Sequence, residues 1–195
     1  RYWLLAQARV ATECGSAPPR QVQGLQILID GDATYAAIEA AMQKAEHHIH
    51  VEYYIFKPDE IGTRWCDLLI EKVRAGVKVR MLVDAVGSGR CRNDFWKPLR
   101  EAGGEVRVFN PPRFLPFRPS MVNFRTHRKI VVIDALYGFT GSINVDRVES
   151  VACVGATASR DTHLALKGSA ALDLQRIFLE DWLYAGTSSG HLARL

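Results

Sequence analysis

The sequence lacks any long apolar run, and its cysteines are few and scattered. No apolar stretch approaches the roughly 20 residues needed to span a bilayer, so we expect that this chain does not cross a membrane. The segment 1–11 is too short and too polar for a secretory signal. No CxxC pair suggests a zinc site or a disulfide framework. The cysteines stand at Cys14, Cys66, Cys91 and Cys153, and we expect reduced thiols in a cytosolic setting.

The chain also lacks a strong excess of charge. Its 195 residues carry a formal net charge of +4, and the sequence pI is about 9.0. This mildly basic balance suits an anionic partner but does not distinguish nucleic acid from anionic lipid. With 48% hydrophobic and 24% charged residues, the composition is that of a globular protein with one sizeable core. One domain is therefore the default expectation.

Strand-like and helix-like periodicity alternate along the chain. Strands are predicted at 25–29, 48–56, 77–83, 105–109, 127–134, 137–140 and 162–166. Helices are predicted at 33–46, 63–75, 94–102 and 169–184, and Gly31-Asp32 is predicted as a turn. This order favours an α/β fold in which helices cover both faces of a mixed central sheet, with much of that sheet parallel.

Turn-forming and linker-like residues mark both ends of the predicted domain. Residues 1–23 combine a short amphipathic helix over 1–11 with a Gly/Pro-rich break, and we interpret them as an N-terminal extension or linker. Residues 24–185 are predicted to form a single domain. The Gly, Ser and Thr residues after position 185 are typical of a flexible linker, so 186–195 is expected to be a C-terminal linker remnant.

The stretch from His127 to Asp134 places reactive side chains around a β-branched run. Two-residue alternation on a strand puts His127 and Lys129 on one face and Asp134 on the other. Seven residues of strand cover roughly 23 Å at about 3.3 Å per residue, so Asp134 is too far away to orient the imidazole of His127. An acidic partner for His127 must therefore come from elsewhere in the structure.

Two other clusters leave alternatives open. Between Arg107 and Lys129, basic residues, phenylalanines and prolines alternate without an acid, which fits either a solvated loop or a mouth that gathers anionic headgroups. His47, His48 and His50 suggest metal binding, but no cysteine or acidic ligands join them in the sequence. We therefore predict structural histidines and no metal site.

The residues around the central stretch resemble a known family. The pattern His127-x-Lys129-xxxx-Asp134, followed by Gly141-Ser142-x-Asn144, is similar to the HxKxxxxD and GSxN signatures of the phospholipase D superfamily. The match extends over about residues 26–184 and is most like the N-terminal half of bacterial cardiolipin synthases. The further segments that carry it are 48–56, 75–80, 84–88, 123–129, 160–163 and 181–182.

The resemblance implies a phospholipase D-like domain that cleaves phosphodiesters through a phosphohistidine, without metal or other cofactor. It makes His127 the nucleophile. Lys129, Asn144 and Ser142 are expected to neutralise or bind phosphate oxygens. Asp134 is the aspartate of the motif, and the strand geometry makes it a structural anchor.

The resemblance also suggests the residues that surround the nucleophile. The acid that orients His127 is expected to be Asp161, because the family places an acidic residue after the GSxN turn, with Glu52 as the second choice. Arg125, Arg128 and Gly141 are expected to contact the substrate.

The family's site needs two such motifs, because a second histidine protonates the leaving alcohol and then activates the acceptor. This sequence has one motif, since His163 is followed two residues later by Ala165 instead of lysine. The missing half is either the mate in a C2 homodimer or a missing C-terminal repeat of a longer protein. The linker composition after position 185 favours the repeat.

The implied function is phosphatidyl transfer, in which two phosphatidylglycerol molecules give cardiolipin and glycerol. The implied place is the membrane surface, peripheral to the cytoplasmic side of a bacterial inner membrane. Two alternatives stay open. One is a phosphodiesterase or nuclease of the same superfamily acting as a homodimer on phospholipid or nucleic acid, and the other is a non-catalytic half that serves as a scaffold or interaction module.

Overall fold

The computed structural model describes residues 2–15, 18, 20, 22–111 and 124–187. The helices are Tyr2–Glu13 (α1), Asp30–Gln43 (α2), Glu60–Arg74 (α3), Asn93–Glu101 (α4), Val151–Val154 (α5) and Ala170–Thr187 (α6). The strands are Gly24–Ile29 (β1), His48–Tyr53 (β2), Lys78–Asp84 (β3), Glu105–Phe109 (β4), Lys129–Ile133 (β5), Tyr137–Gly141 (β6) and Thr162–Lys167 (β7).

The strands form one seven-stranded sheet in the order β1-β7-β6-β5-β2-β3-β4. The predicted α/β fold with a mixed sheet is confirmed. The expectation that much of the sheet is parallel is wrong, because only β2-β3 and β3-β4 pair in parallel, and the other pairings are antiparallel. The chain returns by a short hairpin from β5 to β6, and β1 lies at the far edge against β7 instead of beside β2.

Helices cover both faces of the sheet, as predicted. On one face α2, α3 and α4 bury the larger core, which includes Ile38 and Trp65. On the other face, Phe178 and Trp182 of α6 form a smaller apolar cluster with Leu82 of β3 and Phe109 of β4. Burial of one large apolar side chain contributes about 1.5–3 kcal/mol to the free energy of unfolding, so the packing of these helices stabilises the shape of the sheet. That shape positions the residues at the ends of the strands.

Helix α2 begins at Asp30, directly after β1, so the predicted turn at Gly31-Asp32 is wrong. Asp30 itself turns the chain, with φ at +64°. Gly31 is helical and buried, and a Cβ on it would lie 2.1 Å from the backbone oxygen of Glu149. The glycine is therefore required for a close approach between α2 and the segment after β6 rather than for a turn.

Strand β5 is shorter than the predicted strand 127–134, since both His127 and Asp134 lie outside it. Asp134 has φ at +53° and ends the strand. Its carboxylate accepts hydrogen bonds of 2.9, 2.9 and 2.8 Å from the backbone N–H groups of Glu46, His47 and His48. Burial would raise the pKa of Asp134, but these three donors outweigh it and lower the pKa. Asp134 thereby joins the end of β5 to the start of β2.

Replacing Asp134 with alanine is expected to lower the free energy of unfolding by about 2 kcal/mol at neutral pH, because charge-assisted bonds to backbone N–H groups are lost. The native pKa is below the unfolded value, so this contribution is present above the unfolded pKa and disappears as the pH falls through the native one. Urea unfolding at neutral and acidic pH measures both effects. Asp67→Ala, at an exposed position on α3, is the control, and equal losses in the two variants would contradict the anchoring role.

The two ends of the described chain differ from each other. The predicted N-terminal helix is present as α1, and its Tyr2, Trp3 and Leu5 are exposed. At the other end α6 continues through Gly186 and Thr187, so the predicted linker starts too early, and 188–195 lie outside the described residues. Within the ranges that the structure describes, no helix combines the length and the apolar character that a bilayer crossing requires.

Candidate active site

The predicted reactive residues meet at one end of the sheet, where several strands begin or end, and we call this end the active-site edge. Antiparallel pairing brings the start of β5, the end of β6 and the start of β7 together, and the end of β2 lies beside them. Residues just outside these strand ends therefore share one edge. They are Tyr54, His127, Ser142, Asn144 and Asp161.

His127 and Lys129 are in contact at this edge. The Lys129 ammonium lies 3.3 Å from Nδ1 of His127 and donates a 3.0 Å hydrogen bond to the His127 carbonyl. Lys129 is buried and His127 is exposed. An ammonium donates hydrogen bonds and accepts none, so the contact requires a lone pair on Nδ1 and puts the proton of the neutral ring on Nε2. The Tyr54 ring packs against the imidazole at 4.4 Å between centroids.

Asp84 at the end of β3 holds the chain that leads into His127. Its carboxylate is fully buried and accepts a 3.3 Å bond from the backbone N–H of Thr126. It also lies 3.8 Å from the Arg125 guanidinium, which donates a 2.7 Å bond to the Asn110 carbonyl. Arg125, predicted to contact the substrate, is thus also engaged within the protein.

Glu52 and Asp181 hold the neighbouring positions. The hydroxyl of Thr126 donates a 2.5 Å hydrogen bond to the buried Glu52 carboxyl group, and Arg128 forms an ion pair with Asp181. Glu52, the second choice for orienting His127, therefore contacts the residue before it and not its ring. With Arg125, Thr126 and Arg128 all anchored, His127 is placed by its neighbours on both sides.

The environment of Glu52 favours its protonated form. Burial is the main cause that raises its pKa to about 8, and the nearby Asp181 carboxylate adds to it, against the hydrogen bond from Thr126. A raised pKa means that the native state is favoured most below the unfolded value and loses that advantage as the pH rises through about 8.

Wild-type stability is expected to fall between about pH 5 and about pH 8 because of Glu52, with a slope of about 1.4 kcal/mol per pH unit at most. Replacing Glu52 with glutamine is expected to remove this loss. The free energy of unfolding in urea, measured across this range, checks the difference. Glu71→Gln, at an exposed position on α3, keeps the wild-type slope. A wild-type slope in Glu52→Gln as well would show that Glu52 does not titrate as described.

Ser142 and Asp161 pair on the other side of the site. The Ser142 hydroxyl donates to the Asp161 carboxylate, which also accepts a 2.7 Å bond from the backbone N–H of Thr162. No hydrogen bond joins Asp161 to His127 in the described part of the chain. The predicted acid lies beside the site, but its carboxylate faces the serine rather than the imidazole.

Asn144 lies over a buried acid that the sequence pattern does not reveal. The backbone carbonyl of Asn144 accepts a 2.6 Å hydrogen bond from the Tyr35 hydroxyl. The side chain of Glu149 is buried next to Asn144. Burial raises the pKa of Glu149, Asn144 opposes the rise, and the Asp161 charge adds to it. Nothing in the sequence separates Glu149 from an ordinary exposed glutamate of a loop.

Gly141 lets a second histidine approach the lysine. Three neighbouring strands place Lys129, Gly141 and His163 side by side in a row across the sheet. Gly141 pairs with His163, and the β5–β6 register, extended by one residue, pairs Lys129 with Gly141. A Cβ at Gly141 would lie 2.7 Å from both Cα and Nδ1 of His163, so the imidazole occupies the space of a missing side chain. His163 is fully buried, and its ring nitrogens have no hydrogen-bond partner within the described ranges.

The charges of this row are set by burial. Burial lowers the pKa of Lys129, and the Asp161 and Glu149 carboxylates oppose the change. Burial also lowers the pKa of His163 to about 4, with Asp161 opposing and Lys129 adding to it. This environment favours neutral His163, and a neutral imidazole is too weak an acid to protonate a leaving group.

A cavity of about 480 Å³ opens beside His127. It extends towards the anchored segment before the histidine and towards α6. Its lining residues are Phe109, Phe124, Arg125, Thr126, His127, Arg128 and Asp181. The part of the predicted basic loop at 112–123 lies outside the described residues. The described ends of that loop do border the cavity, through Phe109 and through Phe124 to Arg128.

The histidines before and within β2 lie apart from this site. His48 and His50 face α6, where both rings bond to Gln175 at 3.1 and 2.6 Å. His50 stacks on Phe178, and burial lowers its pKa to about 3. In the ranges described, no group of three or more His, Cys, Asp or Glu residues has the arrangement of a metal site.

A family model described as "Cardiolipin synthase, PLD-like domain" matches residues 38–182. Among curated relatives, the chain is 43% identical over 178 residues to cardiolipin synthase 1 of Bacillus cereus, covering 91% of this chain and 35% of that protein. It is 45% identical over 176 residues to the cardiolipin synthase of Geobacillus kaustophilus, covering 90% and 35%. The chain thus spans about a third of the length of the curated relatives it matches.

Solved structures with low sequence identity share the fold. Nuc from Salmonella typhimurium, a phospholipase D family member, superposes with a TM-score of 0.61 at 17% identity, over 82% of this chain and 93% of that one. Phosphatidylserine synthase from Haemophilus influenzae superposes with a TM-score of 0.66 at 15% identity, over 91% of this chain and 41% of that one.

Proposed function

The chain belongs to the family of cardiolipin synthase, phospholipase D-like domains, and we propose that it provides one half of a phosphatidyltransferase site. In the proposed reaction two phosphatidylglycerol molecules give cardiolipin and glycerol. The observation that carries this assignment is the contact of 3.3 Å between His127 and Lys129 at the exposed edge of the sheet. The cavity of about 480 Å³ beside them offers space for a headgroup.

His127 is the proposed nucleophile. In the first step a ring nitrogen bonds to phosphorus of one phosphatidylglycerol, the bond from phosphorus to the glycerol headgroup breaks, and the leaving glycerol takes a proton from a histidine of the second half-site. In the second step the headgroup hydroxyl of another phosphatidylglycerol attacks phosphorus and returns its proton to that histidine as the N–P bond breaks. Each step exchanges one bond to phosphorus for another.

Three donors are proposed to bind the phosphate oxygens. Lys129 already points its ammonium at His127 and supplies a positive charge beside the attacked phosphorus. Ser142 and the side-chain amide of Asn144 follow the end of β6 at the same edge and add neutral donors. Gly141 is proposed to act indirectly, by leaving space for His163 in the row beside Lys129.

Asp161 is the proposed acid that orients His127. Attack through Nε2 requires the ring proton on Nδ1, whereas the present contact with Lys129 puts it on Nε2. A carboxylate at Nδ1 reverses this preference. Asp161 is close enough to influence the pKa of Lys129, and Ser142 is its partner in this structure, so a turn of the carboxylate from Ser142 to His127 is the rearrangement we propose.

Arg125 and Arg128 border the cavity, and we propose that they attract the anionic headgroup through their charge while they remain paired with Asp84 and Asp181. The partner of this half-site is a second HxK domain, from another copy of the chain or from a C-terminal repeat. We place the reaction at an anionic membrane surface, on the cytoplasmic side, without a cofactor. We propose that the domain that carries it begins at residue 24 and extends at least to the end of α6 at Thr187.

Incubation with phosphatidylglycerol labelled in its headgroup tests the proposal, with the chain alone over a range of concentrations and together with the C-terminal part of the Bacillus cereus relative. Cardiolipin with an equal amount of free glycerol is the expected product. A rate that rises with the square of the chain concentration indicates the homodimer, and a rate that depends on the added part indicates a complementary half.

Other products decide between the alternatives. Phosphatidic acid with glycerol means that water is the acceptor, and the chain is then a hydrolase. Cleavage of DNA without turnover of lipid means a nuclease. If neither lipid nor DNA reacts under either arrangement, the chain is a non-catalytic half and the transferase proposal is wrong.

A further inference from the structure

A second cavity lies at the opposite end of the sheet from His127, between α2 and the strands β1, β6 and β7. Its volume is about 500 Å³. Strand β6 begins beside this cavity at Tyr137 and reaches the active-site edge at Gly141, a distance of roughly 14 Å at about 3.4 Å per residue. The cavity is therefore separate from the site that contains His127.

The walls of this cavity, which we call the α2 groove, are mainly apolar. Helix α2 contributes the small side chains of Ala37, Ala40 and Ala41, and the strands contribute the side chains of Phe139 and Ala165, which are opposite each other on β6 and β7. The volume and the apolar lining fall within the range of sites that hold small molecules.

The rim of the α2 groove is cationic. Lys44, just after α2, and Lys167, at the end of β7, both line it, and both are exposed. Neither forms an ion pair in the described part of the chain. Lys167 lies 5.4 Å from the Tyr137 ring centroid, and none of the described residues that line the groove is acidic. The groove thus combines an apolar channel with two available positive charges.

We infer that the α2 groove binds an anionic phospholipid, with an acyl chain against the alanines and the phosphate between Lys44 and Lys167. Two cations beside an apolar channel match a molecule that is apolar along its length and anionic at one end. Single-stranded nucleic acid is a poorer match, because it requires aromatic stacking platforms and a continuous basic track. This binding does not depend on the chemistry at His127, so it holds or fails separately from the proposed transfer.

Calorimetric titration of the 195-residue chain with a lysophosphatidylglycerol, kept below its critical micelle concentration, tests the inference. The His127→Ala variant is used throughout, so that turnover at the active site does not contribute heat. The expected result is saturable binding in which one site per chain is sensitive to the groove variants described below. Lysophosphatidylcholine with the same acyl chain and glycerol phosphate without one are expected to bind at least about tenfold more weakly, because each lacks one of the two complementary features.

Two pairs of variants locate the binding. Lys44→Glu combined with Lys167→Glu removes the cationic rim, and Lys78→Glu, exposed on β3, is its control. Ala41→Phe fills the channel without changing the charge, and Ala36→Phe, exposed on the same helix but outside the groove, is its control. We expect affinity to fall at least about tenfold in the double lysine variant and in Ala41→Phe, and to be unchanged in the controls. Circular dichroism verifies that each variant is folded.

Absence of saturable binding by the parent chain overturns the inference. Unchanged affinity in either groove variant, with that variant folded, overturns it as well. If Ala41→Phe does not fold, Ala40→Phe at the exposed edge of the same wall takes its place. If cardiolipin formation fails but the lysolipid binds with this pattern, lipid binding by the α2 groove is supported and the transferase proposal is wrong.

Discussion

Replacement of His127 with alanine is expected to lower the rate of cardiolipin formation by about 10⁴-fold or more, to the limit of detection. The loss is this large because the histidine forms the covalent bond to phosphorus, and removing a nucleophile leaves only binding and electrostatic effects. The initial rate of product formation from labelled phosphatidylglycerol measures it, in the arrangement of half-sites that supports turnover.

The structure supplies a matched control for this variant. His47 is exposed, lies outside the site and makes no side-chain hydrogen bond in the described chain, so His47→Ala retains the wild-type rate. Because His127 is also exposed, its replacement changes the free energy of unfolding by no more than about 0.5 kcal/mol. Undiminished product from a folded His127→Ala variant would remove His127 from the mechanism.

Replacement of Gly141 with alanine is expected to lower the free energy of unfolding by about 2–3 kcal/mol. The new Cβ meets His163 Cα at 2.7 Å and the Thr162 carbonyl oxygen at 2.8 Å, and these are backbone atoms of β7, which pairs with β1 on one side and β6 on the other. A flexible side chain can turn away from such a contact, but a strand that is paired on both sides cannot. Urea denaturation at neutral pH gives the difference.

Gly24→Ala is the control for this substitution. Gly24 also lies in the sheet, but its new Cβ meets a single side-chain atom at 3.3 Å, so we expect a loss below about 1 kcal/mol. Transfer activity is expected to fall in Gly141→Ala even where the protein remains folded, since the row beside Lys129 is displaced. A Gly141→Ala variant as stable as the wild type would show that His163 does not fill the space over this glycine.

The order and type of most elements follow from the sequence, because period-two and helical periodicity report burial directly. Strand β4 has the predicted bounds, and Lys129 does lie beside His127. Strand pairing was harder to predict. The sequence gives no sign that β1 pairs with β7, because a β-α-β order is equally compatible with β1 beside β2.

The residues that hold the candidate active site in place were the hardest to predict from the sequence. Asp84 and Asp181 stand in segments that resemble the family, but only the fold shows that they hold Thr126 and Arg128. Their partners are tens of residues away, and local spacing carries no information about such contacts. Tyr54 was more accessible to prediction, since it is an aromatic residue directly after a strand whose end faces the site.

The pairing of β1 with β7 also has a consequence for the order of folding. Gly24 lies opposite Lys167, so β1 remains without β7, its partner in the described sheet, until more than a hundred further residues have been synthesised. The parallel strands β2 to β4 involve much shorter loops and are expected to associate earlier. During synthesis, β1 with its exposed Leu25 and Ile27 is then an open edge that is prone to aggregation. A nascent chain that is released before β7 emerges is expected to need a chaperone.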